Sequence, residues 1–142
     1  VHEALERFWS AIDRASSGAL TPPDASWRAE FETAVGEIAG NIMRHAHPPG
    51  AAQGSFRLRL RGFASAVEAD FADHGVPYAG DLAAVPRAPT NPQDVMSLPE
   101  GGYGLALTLA VVDRLEYSRT GAGVNRWRLV KLIRVGDATR RT

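Results

Sequence analysis

The feature that most constrains this chain is a change of hydrophobic period partway along it. Up to residue 45, apolar side chains recur three and four apart: Leu5, Phe8, Trp9 and Ile12, then Trp27, Phe31, Val35, Ile38 and Ile42. From Phe56 the period becomes two, with Phe56, Leu58 and Leu60 alternating with Arg57, Arg59 and Arg61. A period near 3.6 paints a stripe along a helix, and a period of two paints one face of a strand. The chain therefore has to lay amphipathic helices against a sheet with one wet face. The first helix is interrupted by Ser16-Ser17-Gly18, and the second is predicted from about Ser26 to His45, ahead of Pro48 and Pro49, whose rings forbid continuation.

After the arginine-bearing strand, Gly62 is expected to turn the chain into a second, more apolar strand from Ala64 to Phe71, closing at Asp73-His74-Gly75. Residues 76–100 hold five of the nine prolines and little periodicity, which reads as a lid. Gly101-Gly102-Tyr103-Gly104 opens an apolar helix from about Leu105 to Val112. Leu115–Arg119 and Val124–Ile133 then read as a hairpin around Gly121 and Gly123, and 136–142 as a frayed tail. This order predicts an α+β fold, a two-layer α/β sandwich with helices on one face of a mixed, mainly antiparallel sheet.

The 142 residues fit one domain, and 16 basic against 16 acidic residues leave no overall field that would recommend nucleic acid or an anionic membrane. Without cysteine there is no disulfide framework, thiolate metal site or cysteine nucleophile. No apolar run is long enough for a membrane span and no leader opens the sequence, so a soluble, cytoplasmic domain is expected. Starting at Val1, the chain reads as cut from a longer polypeptide.

Three segments carry candidate chemistry. Glu37, Asn41 and His45 follow one another at four-residue steps, which brings them to one stripe of the second helix. There an amide oxygen can complete the shell of a magnesium ion held by phosphates, and a carboxylate one turn away can take the proton of an attacking hydroxyl. Asp73, at the end of an inner strand, can accept from an exocyclic amine such as adenine N6, and Gly75 lets backbone approach a flat ligand. Gly101, Gly102 and Gly104 run into a helix whose free N–H groups suit a phosphate, with Leu105 next in line. Taken singly, these are a polar helix face, an ordinary turn and a hinge.

In order, Glu37-Ile-Ala-Gly-Asn41-Ile-Met-Arg-His45-Ala46, Asp73-His74-Gly75 and Gly101-Gly102-Tyr103-Gly104-Leu105-Ala106-Leu107 resemble the N, G1 and G2 boxes of the GHKL (Bergerat-fold) ATPases. Leu98-Pro99-Glu100-Gly101-Gly102, Val112-Asp113-Arg114-Leu115-Glu116-Tyr117 and the stretch Asn125 to Lys131 are similar to the anti-sigma-factor serine/threonine kinase branch. The resemblance covers roughly residues 26 to 133. It implies ATP and magnesium as cofactors, Glu37 as general base and Asn41 as magnesium ligand. It also implies Asp73 as adenine contact, with Gly75, Gly101, Gly102 and Gly104 as the backbone around base and phosphates. By the same resemblance the chain is expected to phosphorylate a serine of a small anti-anti-sigma (STAS-type) partner and to bind a sigma factor, in a family that often forms homodimers. Two departures stand out: Pro77 replaces the second G1 glycine, and the strand that usually precedes the first helix is absent.

Other features weigh less. Arg87, in the lid, has the guanidinium chemistry to meet a γ-phosphate, although loop arginines are usually solvated. His45 and His47 lack a third metal ligand. The row Arg57, Arg59, Arg61 has no interleaved aromatic, so it reads as a wet strand face rather than a nucleic-acid stripe. Two alternative functions remain open: a non-catalytic ATP-gated interaction module, and a sensor histidine kinase catalytic domain, although no phosphoacceptor helix is present.

Overall fold

Alternation along four strands builds the sheet and sorts its two faces. The computed structural model of the chain describes residues 1–16, 22–46, 54–85 and 102–134. Its elements are α1 (His2–Ala15), α2 (Ala25–Asn41), β1 (Phe56–Gly62), β2 (Ala66–Asp73), α3 (Gly102–Val111), β3 (Arg114–Arg119) and β4 (Asn125–Leu132). The strands lie in the order β1-β2-β4-β3, and every pairing among the described residues is antiparallel. Among the described residues, helices cover one face only, in keeping with the single-sided alternation, giving the expected α+β sandwich.

Helix α2 is the centre of the second layer. Asp24 caps it by accepting from the Trp27 backbone N–H at 2.9 Å, satisfying a donor that would otherwise lack a partner. Phe31, Val35 and Ile38 are fully buried against Val67, Ala69, Phe71 and Leu129 of the inner sheet face. Trp9 of α1 meets Trp27 and Phe31 edge-on at 6.4 and 5.8 Å, so α1 is anchored by aromatic packing. Lys131, on an inward position of β4, bonds Glu30 of α2 at 2.8 Å and the Val111 carbonyl at 2.6 Å, and lies 5.3 Å from the Trp27 ring centre. One cation thus ties α2, the end of α3 and the sheet together.

Several boundaries differ from the sequence reading: β2 runs Ala66–Asp73 where the sequence predicts Ala64 to Phe71, and α3 begins at Gly102 where it predicts a start near Leu105. The expected helix from Ser26 to His45 is α-helical only to Asn41 and continues as a π-helical turn, Ile42–Ala46. Gly62 does not form the β1–β2 turn: it is the last residue of β1, and Phe63 N–H donates to the Ala66 carbonyl across the turn. A Cβ there would sit 2.3 Å from the tip of the flexible Ile12 side chain of α1, so the end of β1 passes close under that helix. The true turn glycine is Gly123, at φ +82°, in the β3–β4 hairpin. Of the lid segment 76–100, only residues up to 85 are described, including a single 3₁₀ turn, Leu82–Ala84; the rest, with Arg87, and the tail 136–142 lie outside the described residues. No helix among the described residues is long and apolar enough to cross a membrane.

Candidate functional site

At the Asp73 end of the sheet, helices and strands part around a cavity of about 560 Å³. Asn41, Ile42, His45 and Ala46 line it from the end of α2, and Asp73, Tyr117, Asn125 and Trp127 from the sheet. Leu105 of α3 and the chain from Val76 to Gly80 close the remaining sides. The three segments singled out in the sequence therefore meet at one place. Its walls are chiefly aromatic and aliphatic, with a few convergent polar groups, the usual make-up of a small-molecule site.

Asp73 is buried, 1% exposed. Its Oδ1 accepts from Gly75 N–H at 2.8 Å and from Asn125 Nδ2 at 2.9 Å, while its Oδ2 is buried and has no partner among the described residues. An unpaired buried acceptor costs on the order of 1–3 kcal/mol, more when charged, so an atom of this kind in a cavity wall marks the place of a donor. The exocyclic amine of adenine is such a donor, and the flat neighbours Tyr117 and Trp127 suit the base that carries it.

Glycine is required at Gly75, where backbone stands in the way of a side chain, and Gly104 marks a second close approach. A Cβ on Gly75 would approach the Ala46 carbonyl oxygen to 2.3 Å, and Val76 N–H donates to that same oxygen at 3.0 Å. The chain after β2 is thereby sewn to the π-helical turn of α2. A Cβ on Gly104 would lie 2.4 Å from Glu37 Oε2, so the first turn of α3 passes directly under that carboxylate. Glu37 is half-buried and does not line the cavity; Asn41, one helical turn on, does. Gly102 begins α3, and Gly101, like Arg87, lies outside the described residues.

The histidine kinase-like ATPase domain family matches residues 3–131. The chain belongs to this family. It is thus an ATPase domain of the GHKL type, and ATP is the nucleotide its fold implies. No curated protein matches it. Among solved structures, a mycobacterial sensor histidine kinase, MprB, is similar at 21% identity and a TM-score of 0.48, over 92% of this chain and 93% of that one.

Sequence reasoning missed the residue that organises this ATPase domain's pocket. Asn125 is 1% exposed and uses both ends of its amide. Its Nδ2 donates to Asp73 Oδ1 and to the Gly75 and Val76 carbonyls, the latter two at 3.0 Å. Its Oδ1 accepts from Tyr117 Oη at 2.6 Å and from Arg119 at 2.7 Å. Tyr117 Oη in turn accepts from Tyr78 N–H at 2.9 Å and Arg119 donates to the Gly75 carbonyl at 3.0 Å, so the wall from Gly75 to Tyr78 is held by a network with Asn125 at its centre. The signal was present: Asn125 shares the inward parity of Trp127 and Leu129, and a polar residue at an inward position needs partners. Tyr78 packs edge-on against Trp127 at 5.1 Å, and burial, then the nearby Asp81 charge, raise its phenol above the ordinary tyrosine value. It is neutral at physiological pH.

Proposed function

We propose that the domain binds ATP with the adenine amine on Asp73 and passes the γ-phosphoryl group to a serine or threonine of an anti-anti-sigma (STAS-type) partner. The reading includes a sigma factor as a second protein ligand, in line with the motif resemblance around Asp113. The observation that carries it is the orphaned Oδ2 of Asp73 in a cavity lined also by Asn41, His45 and Leu105. Asn41, 8% exposed and without a side-chain hydrogen bond among the described residues, has a free amide oxygen for a magnesium ion held by the phosphates. The ion supplies charge neutralisation at the transferring group. Glu37 is assigned to take the proton of the attacking hydroxyl, and the start of α3 with its glycines to face the phosphates with backbone N–H groups.

The test combines calorimetry and transfer. With magnesium ATP and a serine-bearing STAS-type protein, Glu37→Ala is expected to keep nucleotide affinity within about threefold and to lose transfer by about 10²–10⁴-fold. Unchanged transfer removes the proposed base. Acid-labile instead of acid-stable phosphoprotein assigns the chain to histidine chemistry. One observation favours a second reading: Glu37 lies against Gly104 and outside the cavity wall, an arrangement that suits a domain which binds ATP to gate a partner without transferring phosphate. ATP-dependent partner affinity with no labelled partner establishes it.

A further inference from the structure

The strand registers place the outward residues of the sheet in rows running across all four strands. The row nearest the Asp73 end reads Arg57, Ala72, Arg126, Ser118 and holds no carboxylate. The next alternates in sign, Arg59, Asp70, Arg128, Glu116. In the third, Arg61 and Arg114 flank Glu68 and Val130. Six arginines thus face three carboxylates on a chain whose 16 basic and 16 acidic residues balance as a whole.

The carboxylates are largely consumed. Glu68 is held between Arg61 at 2.9 Å and Arg128 at 2.7 Å, and Asp70 also accepts from Arg61, at 2.8 Å. Arg57, Arg59 and Arg126 form no ion pair among the described residues. They rim a groove of about 720 Å³ floored by Ala72, with the Ser118 hydroxyl at its far side. Two strand spacings separate Arg57 from Arg126, roughly 10 Å, within reach of two long guanidinium side chains converging on neighbouring acidic groups.

We propose that this groove docks an acidic segment of a partner protein, with carboxylates engaging Arg57 and Arg126 together. The charge pattern favours protein over nucleic acid. The unpaired arginines are confined to Arg57, Arg59 and Arg126 at one end of the sheet, while the neighbouring positions hold arginines already bound to carboxylates, so no continuous track for a phosphate backbone crosses the face, and no aromatic stands on these rows for a base to stack on. An extended peptide can carry its carboxylates over the arginine row and leave neutral or basic residues over the mixed one. The groove lies across the sheet from the nucleotide cavity, so the proposal stands apart from the ATP reading.

Fluorescence anisotropy of a labelled twelve-residue Glu-Gly repeat peptide, titrated with the full chain at low and moderate salt, tests it. Binding is expected to weaken more than tenfold in Arg57→Glu/Arg126→Glu, less than threefold in Arg114→Glu on the edge strand, and not at all in Asp73→Asn. Circular dichroism checks the fold, and Arg57→Gln/Arg126→Gln replaces the reversal should that variant be unfolded. The proposal is overturned by no binding at millimolar protein, by equal losses in Arg114→Glu, or by tighter binding of a twelve-nucleotide oligo-dT or of phosphatidylserine vesicles.

Discussion

Asp73 and Ala72 are neighbours in β2, yet they belong to opposite electrostatic worlds. Asp73 points inward, where one carboxylate oxygen has no partner among the described residues. Ala72 points outward, between Arg57 and Arg126, where several full charges sit in water. The comparison teaches that solvent sets the worth of a charge. Inside, a single acceptor can decide which ligand is bound, whereas exposed arginines contribute little to stability and act through the field they present to a partner.

The largest effect that sharpens this contrast is Phe71→Ala. Phe71 faces inward at 1% exposure and packs on Phe56 at 5.7 Å, so its removal is expected to cost about 3–5 kcal/mol in urea denaturation. The outward Arg59→Ala should stay within about 0.5 kcal/mol. Comparable losses would break the distinction between the faces. Next comes Asp73→Asn, which exchanges an acceptor for a donor where the adenine amine is proposed to sit. ATP affinity is expected to fall about 10–100-fold by calorimetry, the equivalent of a charged hydrogen bond, while Arg57→Ala leaves it unchanged. An unaltered affinity in Asp73→Asn would remove the adenine contact.

An intermediate case lies at the other end of the sheet. Asp113, with its side chain 21% exposed, accepts from Leu132 N–H at 2.7 Å and pairs with Arg134. Burial alone would raise its carboxyl, but the Leu132 hydrogen bond and the Arg134 and Lys131 charges outweigh that and hold it below the ordinary aspartate value. A depressed folded value means stability that is present above the unfolded value, near 4, and is lost as pH falls through the lower folded one. Asp113→Asn should therefore cost about 1 kcal/mol at pH 7, with the gap in thermal midpoint closing below about pH 4. A gap that persists undiminished at pH 3 would show that the carboxylate charge is not the stabilising element.

Periodicity made most of the fold legible, since burying Trp27, Phe31, Val35 and Ile38 on one stripe and Leu58 and Leu60 on one face leaves few ways to stack the layers. The motif residues Asn41, His45, Asp73 and Leu105 were legible as well, because their order along the chain matched a known series of boxes. The position of Glu37 against Gly104 was not, since four-residue spacing tells which stripe a side chain shares but not which neighbour crosses it. Asn125 escaped because its value comes from partners 49 to 52 residues away, at Val76, Gly75 and Asp73.

By itself the sequence determined the layer order, the inward and outward parity of each strand and the family. Those follow from short-range repetition and local order along the chain. Only the tertiary structure decided that Asn125 and Gly75 N–H both bond one oxygen of Asp73 while the other has no partner among the described residues, and that Arg57 and Arg126 share a row with no carboxylate between them. Both depend on register between strands distant in sequence, which is set by packing of the whole inner face and is written in no single segment.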